Sequence, residues 1–180
     1  MFIETRNLII RDLKKKDAIS IYQFVREPST YRYMPNNADD YETLQDYLDA
    51  PYWFREPEQG DSINFRVGRY YAVTIPASDE IIGVVGRGLK EDWNEIEIAY
   101  FLSEKYRGKG YAHEAVSAFV EWCFKVSDLP YLIATISCDN LPSNKLIKKC
   151  KFEIMEKRIP IRHGQLMEDE RYFYYRKYRV

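Results

Sequence analysis

The stretch that most constrains this chain runs from Asn94 to Cys123. Glu95, Glu97, Ala99 and Phe101 fall on one side of an alternating run, and Ile96, Ile98, Tyr100 and Leu102 on the other. That period of two predicts a strand over 94–102. The run breaks at Arg107-Gly108-Lys109-Gly110. Directly beyond it Ala112, Ala115, Val116, Phe119, Val120 and Cys123 recur at i, i+3, i+4 spacing, the stripe of an amphipathic helix. A β-branched run, Tyr131 to Cys138, follows Pro130. Strand, basic Gly-rich loop, helix and strand together predict a β-α-β crossover, right-handed by the usual twist rule.

The flanking segments fill in the rest. Leu8 to Arg11 reads as a first strand. Asp17 has the character of an N-cap before Ala18, Ile21, Tyr22 and Val25, and Pro28 limits that helix. Asp39 and Glu42 have capping-box spacing before Tyr41, Leu44, Tyr47 and Leu48, a second helix closed by Pro51. Phe65 to Ile75 and Ile81 to Val85 read as a hairpin across a Pro76–Asp79 turn. Pro142 opens a short helix bearing Leu146, Ile147 and Cys150. Phe152 to Ile161 and Arg171 to Tyr178 predict two last strands joined through His163-Gly164. The order β-α-α-β-β-β-α-β-α-β-β implies an α/β (α+β) domain around a mixed sheet, not a pure doubly wound fold.

Composition narrows the class. The chain has 180 residues, 46% of them apolar, and a net charge of -1. That suits one soluble domain spanning residues 1–180, and it excludes a disordered chain or a strongly basic nucleic-acid binder. The charge is unevenly spread. Residues 1–102 carry 12 Lys/Arg against 18 Asp/Glu, and residues 103–180 carry 15 against 10. No apolar run approaches the ~20 residues of a membrane helix. Three cysteines, Cys123, Cys138 and Cys150, include no CxxC pair and imply no disulfide framework. A cytoplasmic protein is expected. The two histidines, His113 and His163, lie far apart, so no catalytic metal is expected.

The loop at 107–112 is either an ordinary tight turn or the place where the chemistry sits. Two glycines let the backbone approach a ligand closely. The following helix start presents unpaired N–H groups and the positive end of its dipole, an anion site suited to phosphate. Arg107 and Lys109 add positive charge. The dinucleotide fingerprint fails for want of a third glycine, and no G-x-x-x-x-G-K-S/T occurs.

Arg107-Gly108-Lys109-Gly110-Tyr111-Ala112 resembles the R/Q-x-x-G-x-G/A signature of the GNAT acyl-CoA-dependent N-acyltransferases. Glu97 to Leu102 before it and His113-Glu114-Ala115 after it match as well. Asn140, Ser143, Leu146, Lys149 and Phe152 resemble that family's N-x-x-S-x-x-L-x-x-K-x-G-F block. Thr5 to Leu13 with Asp17-Ala18 is similar to the opening of the branch that holds the ribosomal-protein N-terminal acetyltransferases.

The resemblance implies a GNAT-like fold. Its mostly antiparallel central sheet would splay between the fourth and fifth expected strands, with about four helices around it. It implies acetyl-CoA as co-substrate, with the pyrophosphate on the backbone of Gly108, Lys109, Gly110, Tyr111 and Ala112 beside Arg107. The pantetheine would pair with Tyr100, Phe101 and Leu102. Asn140 and Ser143 would hold the pantetheine and sit near the departing sulfur, although Asn140 also suits a helix N-cap. Glu97 is the general-base candidate, with Glu95 on the same face as the fallback. Lys145, Lys148, Lys149 and Lys151 would lie toward the ribose phosphate or form a solvated face. Lys151 stands where the family carries a glycine cap. Ile147 stands where many relatives place a tyrosine proton donor, so that role passes to Ser143 or water.

The implied reaction moves an acetyl group directly to a primary amine, either a protein N-terminal α-amine or a small amine. Eight acidic residues within 36–61 would favour a cationic acceptor such as a polyamine, or would simply be a solvated helix face. Tyr31, Tyr33, Tyr52, Trp53 and Phe54 would line the acceptor cleft or pack as core. The competing reading is a non-catalytic acyl-CoA sensor or scaffold module, against which Glu97, Asn140 and Ser143 together count. Tyr172, Tyr174 and Tyr178 offer a surface for a possible homodimer.

Overall fold

The computed structural model describes residues 1–34, 42–49, 64–162 and 165–180. The period-2 run becomes β5 (Glu95–Leu102), and its two faces meet different partners. Ile96, Ile98 and Leu102 pack with Ala115, Val116, Phe119, Val120 and Cys123 of helix α4 (Tyr111–Val126). Phe101, on the other face, packs with Ile21 and Val25 of α1 (Ala18–Val25). The sheet is therefore covered on both sides. Phe119 lies 5.6 Å from the Tyr71 ring and 5.8 Å from the Trp122 ring. Burying a side chain of this size contributes about 1.5–3 kcal/mol.

The sheet has eight strands. In order across it they are β1 (Phe2–Glu4), β2 (Ile9–Asp12), β3 (Arg69–Ile75), β4 (Glu80–Lys90), β5, β6 (Tyr131–Ser137), β10 (Tyr172–Tyr178) and β7 (Glu153–Arg158). All neighbours are antiparallel except β5 and β6. β4 and β5 stay in register from Gly83↔Leu102 to Lys90↔Glu95. β5 and β6 share only Glu97↔Ile133 and then part. This is the expected splay, and the mixed α/β fold follows the expected outline.

Several local expectations are corrected. β1 is an additional strand, and β4 is longer than the predicted Ile81–Val85. Asp17 stands at the head of α1, but its carboxylate does not cap that helix. It accepts from the Lys14 backbone N–H and holds the Arg11 guanidinium at 2.7 and 3.0 Å, an ion pair buried between β2 and α1. Pro28 opens a helix as well as ending one, because its fixed φ suits the first turn: α2 spans Pro28–Tyr31. The capping box of α3 (Leu44–Asp49) is Thr43 with Asp46. The Asp46 N–H donates to Thr43 Oγ1 at 3.1 Å and the Thr43 N–H to Asp46 Oδ2 at 2.7 Å. Asp39, Tyr41 and Pro51 lie outside the described residues.

The C-terminal strands are not simply joined. A two-stranded hairpin, β8 (Ile161–Arg162) and β9 (Gln165–Leu166), intervenes; His163 and Gly164 lie outside the described residues. β10 then returns between β6 and β7. With α5 (Leu141–Lys149) the described residues hold five helices, against the four or so expected. Lys151 takes the left-handed φ of 62° where glycine is usual. The Phe152 N–H donates to Ile147 O and the Lys151 N–H to Lys148 O, the two bonds of a Schellman cap.

Candidate active site

Where β5 and β6 part, a cleft of ≈ 1170 Å³ opens between them. Its lower walls are Ile98 to Leu102 of β5 and Ala134 to Ser137 of β6; its ends are the 106–113 loop and the start of α5 on one side, and Lys90 and Trp93 on the other. Of the candidate residues, Glu97, Tyr100, Phe101, Leu102, Arg107, Gly108, Gly110, Tyr111, Ala112, Asn140 and Ser143 line it, and Lys109 does not. The Lys109 Nζ lies 5.4 Å from the Tyr106 ring centre.

The 107–113 segment is a cradle of backbone. Gly108 and Gly110 have φ of 76° and 87°, and a methyl group on either would meet no protein atom within 4 Å. The glycines are required by the turn, and the space beside them is open. Gly110 is the N-cap of α4. Among the described residues no backbone or side-chain acceptor receives the N–H groups of 108–113. A row of unpaired donors at the positive end of a 16-residue helix suits an anion.

Arg107 builds this loop. Its Nε donates to Leu102 O at 2.8 Å, and its terminal nitrogens reach Ser29 Oγ and, at 2.8 Å, Thr30 Oγ1. Glu27 accepts from Ser103 Oγ at 2.6 Å and from the Glu104 N–H at 2.8 Å. α2 is thereby clamped onto the loop and forms a wall of the cleft through Pro28, Ser29 and Thr30. The guanidinium thus faces protein partners, and the loop's anion affinity falls to the backbone.

Glu97 sits at the point of divergence. Because β6 turns away there, the Thr135 N–H donates to the Glu97 carboxylate at 3.1 Å, and the Thr135 hydroxyl donates to it as well. Burial pushes the Glu97 pKa above the ordinary glutamate value, against the opposing Lys90 charge and the Thr135 hydrogen bonds. Glu95, the fallback, is engaged elsewhere. It accepts from Tyr174 OH at 2.7 Å and from Arg176 Nη2 at 2.7 Å, and it does not line the cleft.

At the other wall, Asn140 caps α5. Its Oδ1 accepts from the Ser143 N–H at 3.2 Å. Ser143 Oγ lies 2.8 Å from Tyr100 OH, and burial drives the Tyr100 pKa far up. The buried Asn144 pins this helix start: its Nδ2 donates to Ser137 O at 2.8 Å, and its Oδ1 accepts from Tyr175 OH at 2.7 Å. Ile147 is fully buried and away from the cleft. Sequence reasoning missed the Tyr100 hydroxyl, Thr135, α2, Lys90 and Trp93. Only Pro28 offered a local signal, as a helix opener.

Lys145 and Lys149 line the cleft; Lys148 and Lys151 do not. Tyr33 lines it, with its hydroxyl 3.3 Å from Asp139 O, while Tyr31 does not. Tyr52, Trp53 and Phe54 lie outside the described residues. Of the acidic group, Glu42, Asp46 and Asp49 are exposed and off the cleft, and the other members also lie outside the described residues. Among the described residues no cluster of His, Cys, Asp and Glu is placed to hold a metal ion. No described helix is long and apolar enough to cross a membrane.

Residues 7–153 match the family profile of the acetyltransferase (GNAT) domain. The chain belongs to the GNAT acetyltransferases. It is an acyltransferase of a family that uses acetyl-CoA. A curated relative of this GNAT protein is the N-acetyltransferase YnaD of Bacillus subtilis, 27% identical over 149 residues, which cover 83% of this chain and 81% of the relative. A GNAT-family acetyltransferase from Bacillus anthracis has the same fold, with a TM-score of 0.76 at 22% identity over 99% of this chain and 98% of that one. So does a ribosomal-protein α-N-acetyltransferase, RimL, solved with coenzyme A. Its TM-score is 0.73 at 12% identity over 99% and 98% of the two chains.

Proposed function

We propose that this GNAT protein transfers an acetyl group from acetyl-CoA directly to a primary amine, a protein N-terminal α-amine or a small amine, within one ternary complex. The observation that carries the reading is the meeting, in one cleft, of an unpaired N–H cradle and a carboxylate of raised pKa. The unpaired donors at 108–113 fit a pyrophosphate, so Gly108 to Ala112 would hold it there. The parted edges of β5 and β6 would accept the amide-bearing arm at Tyr100 to Leu102, as an added strand does. Asn140, whose Oδ1 is taken by the cap, retains its Nδ2 for the same arm.

Acetyl-CoA supplies an acyl thioester already activated toward an amine. The chain's own part is to orient and to move protons. A free α-amine has a pKa near ~8 and a lysine near ~10, so the acceptor enters mostly protonated at neutral pH. Glu97 takes that proton, directly or through a water, and its raised pKa makes it a better base than an ordinary glutamate. Ser143, whose Oγ lies 2.8 Å from Tyr100 OH, would sit near the leaving sulfur. A thiol-release assay with a panel of amines and peptides tests the reading. Turnover above hydrolysis with at least one acceptor is expected; release with none of them would instead support the acyl-CoA sensor.

A further inference from the structure

The side chains of the cleft are unevenly charged. Arg32, Lys90, Lys145 and Lys149 line it, and none of them has an ion-pair partner among the described residues. Among the described residues Glu97 is the one carboxylate that lines it. Lys145 and Lys149 belong to α5 beside the cradle. Lys90 lies at the opposite end, near Glu97.

The register places the two groups. Lys90 pairs with Glu95, and Gly88 pairs with Glu97. Paired residues point to the same side of a sheet, so Lys90 and Glu97 are diagonal neighbours on one face, ~7–8 Å apart at the backbone. The residue directly opposite Glu97 is a glycine and carries no side chain to fill the gap. Glu95, the neighbour that would neutralise Lys90, is turned away by Arg176 and Tyr174. Trp93 closes this end of the cleft, with the Lys90 Nζ 5.9 Å from its ring centre. A negative and a positive group thus face one open space, partly shielded from water.

We propose that Lys90, beside Trp93, forms with Glu97 a subsite that reads a zwitterion, so that the acceptor is a primary amine carrying a carboxylate a few bonds from its nitrogen. The ammonium approaches Glu97 and the carboxylate reaches the Lys90 ammonium, which makes no ion pair within 4 Å among the described residues. A polyamine would set a second positive charge against Lys90. The subsite deepens the acetyl-transfer reading and rests on it for the role of Glu97. Its ligand is either a free amino acid or a peptide whose first residues are acidic, since both present this chemistry.

The test compares kcat/KM for glycine, β-alanine and glutamate with glycinamide and spermidine. A second arm compares peptides opening Ala-Asp with peptides opening Ala-Lys. The carboxylate-bearing acceptor of one arm is expected to be preferred about tenfold or more, the worth of a charge-assisted contact. Lys90→Met should erase that preference through KM, and Lys90→Arg should retain most of it. Equal use of carboxylates and amides, or a ratio untouched by Lys90→Met, overturns the subsite while leaving acetyl transfer standing. Calorimetric titration of the same carboxylates separates the two ideas from the other side. Binding that depends on Lys90 without any thiol release keeps the subsite and removes the transfer reading; no binding and no release removes the subsite too.

Discussion

The two ends of the cleft are made of different material. The cradle at 108–113 is backbone: positive-φ glycines, a helix start and N–H groups with no acceptor among the described residues. The end around Glu97 is side chain, assembled from Lys90 on β4, Trp93 in the following turn, Glu97 on β5 and Thr135 on β6. A backbone site is set by the conformation of a few consecutive residues. A side-chain site depends on which distant strands lie alongside. On the proposed reading, the first would serve any acceptor alike, and the second would be where acceptors are told apart.

Substitutions at the two ends should therefore fail differently. The largest effect is expected from Glu97→Gln, with kcat falling by roughly 10²–10⁴-fold, the usual worth of a positioned general base, and acetyl-CoA affinity unchanged. Turnover intact across the pH range would remove Glu97 from the role. Next in size is Gly110→Val. The left-handed φ of 87° costs an L-residue about 1–2 kcal/mol, so acetyl-CoA should bind about tenfold more weakly by equilibrium titration, with kcat at saturation nearly unaltered. An unchanged dissociation constant would contradict the cradle.

The pH profile sharpens the contrast without a large change in rate. A base must be ionised to act, so kcat/KM should climb with pH through the Glu97 pKa, which burial holds above the ordinary glutamate value. The Lys90 charge opposes that rise. Lys90→Met removes it, so the acid limb should move to higher pH; a limb that stays put or moves down would show that Lys90 does not act on Glu97. The smallest effect belongs to Lys151→Gly. Glycine relieves the left-handed φ of 62° outside the cleft, so stability should gain about 1 kcal/mol. The melting temperature should rise by about 2–4 °C, with neither acetyl-CoA affinity nor kcat altered.

Legibility in the sequence follows the same division. The parting of the sheet follows what the family resemblance implies, whereas the strand at 95–102 and the helix at 111–126 agree with patterns visible along the chain. So does the strained cap at Lys151, because a Schellman turn involves only neighbours in sequence. Arg107 is a different case. Its charge is visible in the loop, but the hydroxyls of Ser29 and Thr30 that engage it lie more than seventy residues away. Asp17 reads as a cap because of its position, while the buried Arg11 outcompetes the helix N–H groups for its carboxylate. The insertion of β10 between β6 and β7 has no local signature at all.

Sequence by itself determined the strand–loop–helix cradle, the alternation that carries Glu97 on one face of β5, and the mixed α/β class. These depend on φ preferences and on periodicities of about 2 and 3.6 residues, which short segments hold in common wherever they fold. Only the tertiary structure decided which glutamate faces the cleft, that Lys90 stands beside it without an ion pair among the described residues, and that α2 closes one wall. A side chain's protonation and pairing depend on desolvation and on charges within a few ångströms. For Glu95, Glu97 and Lys90 those surroundings come from strands far apart in the chain, and they exist only once the sheet has formed.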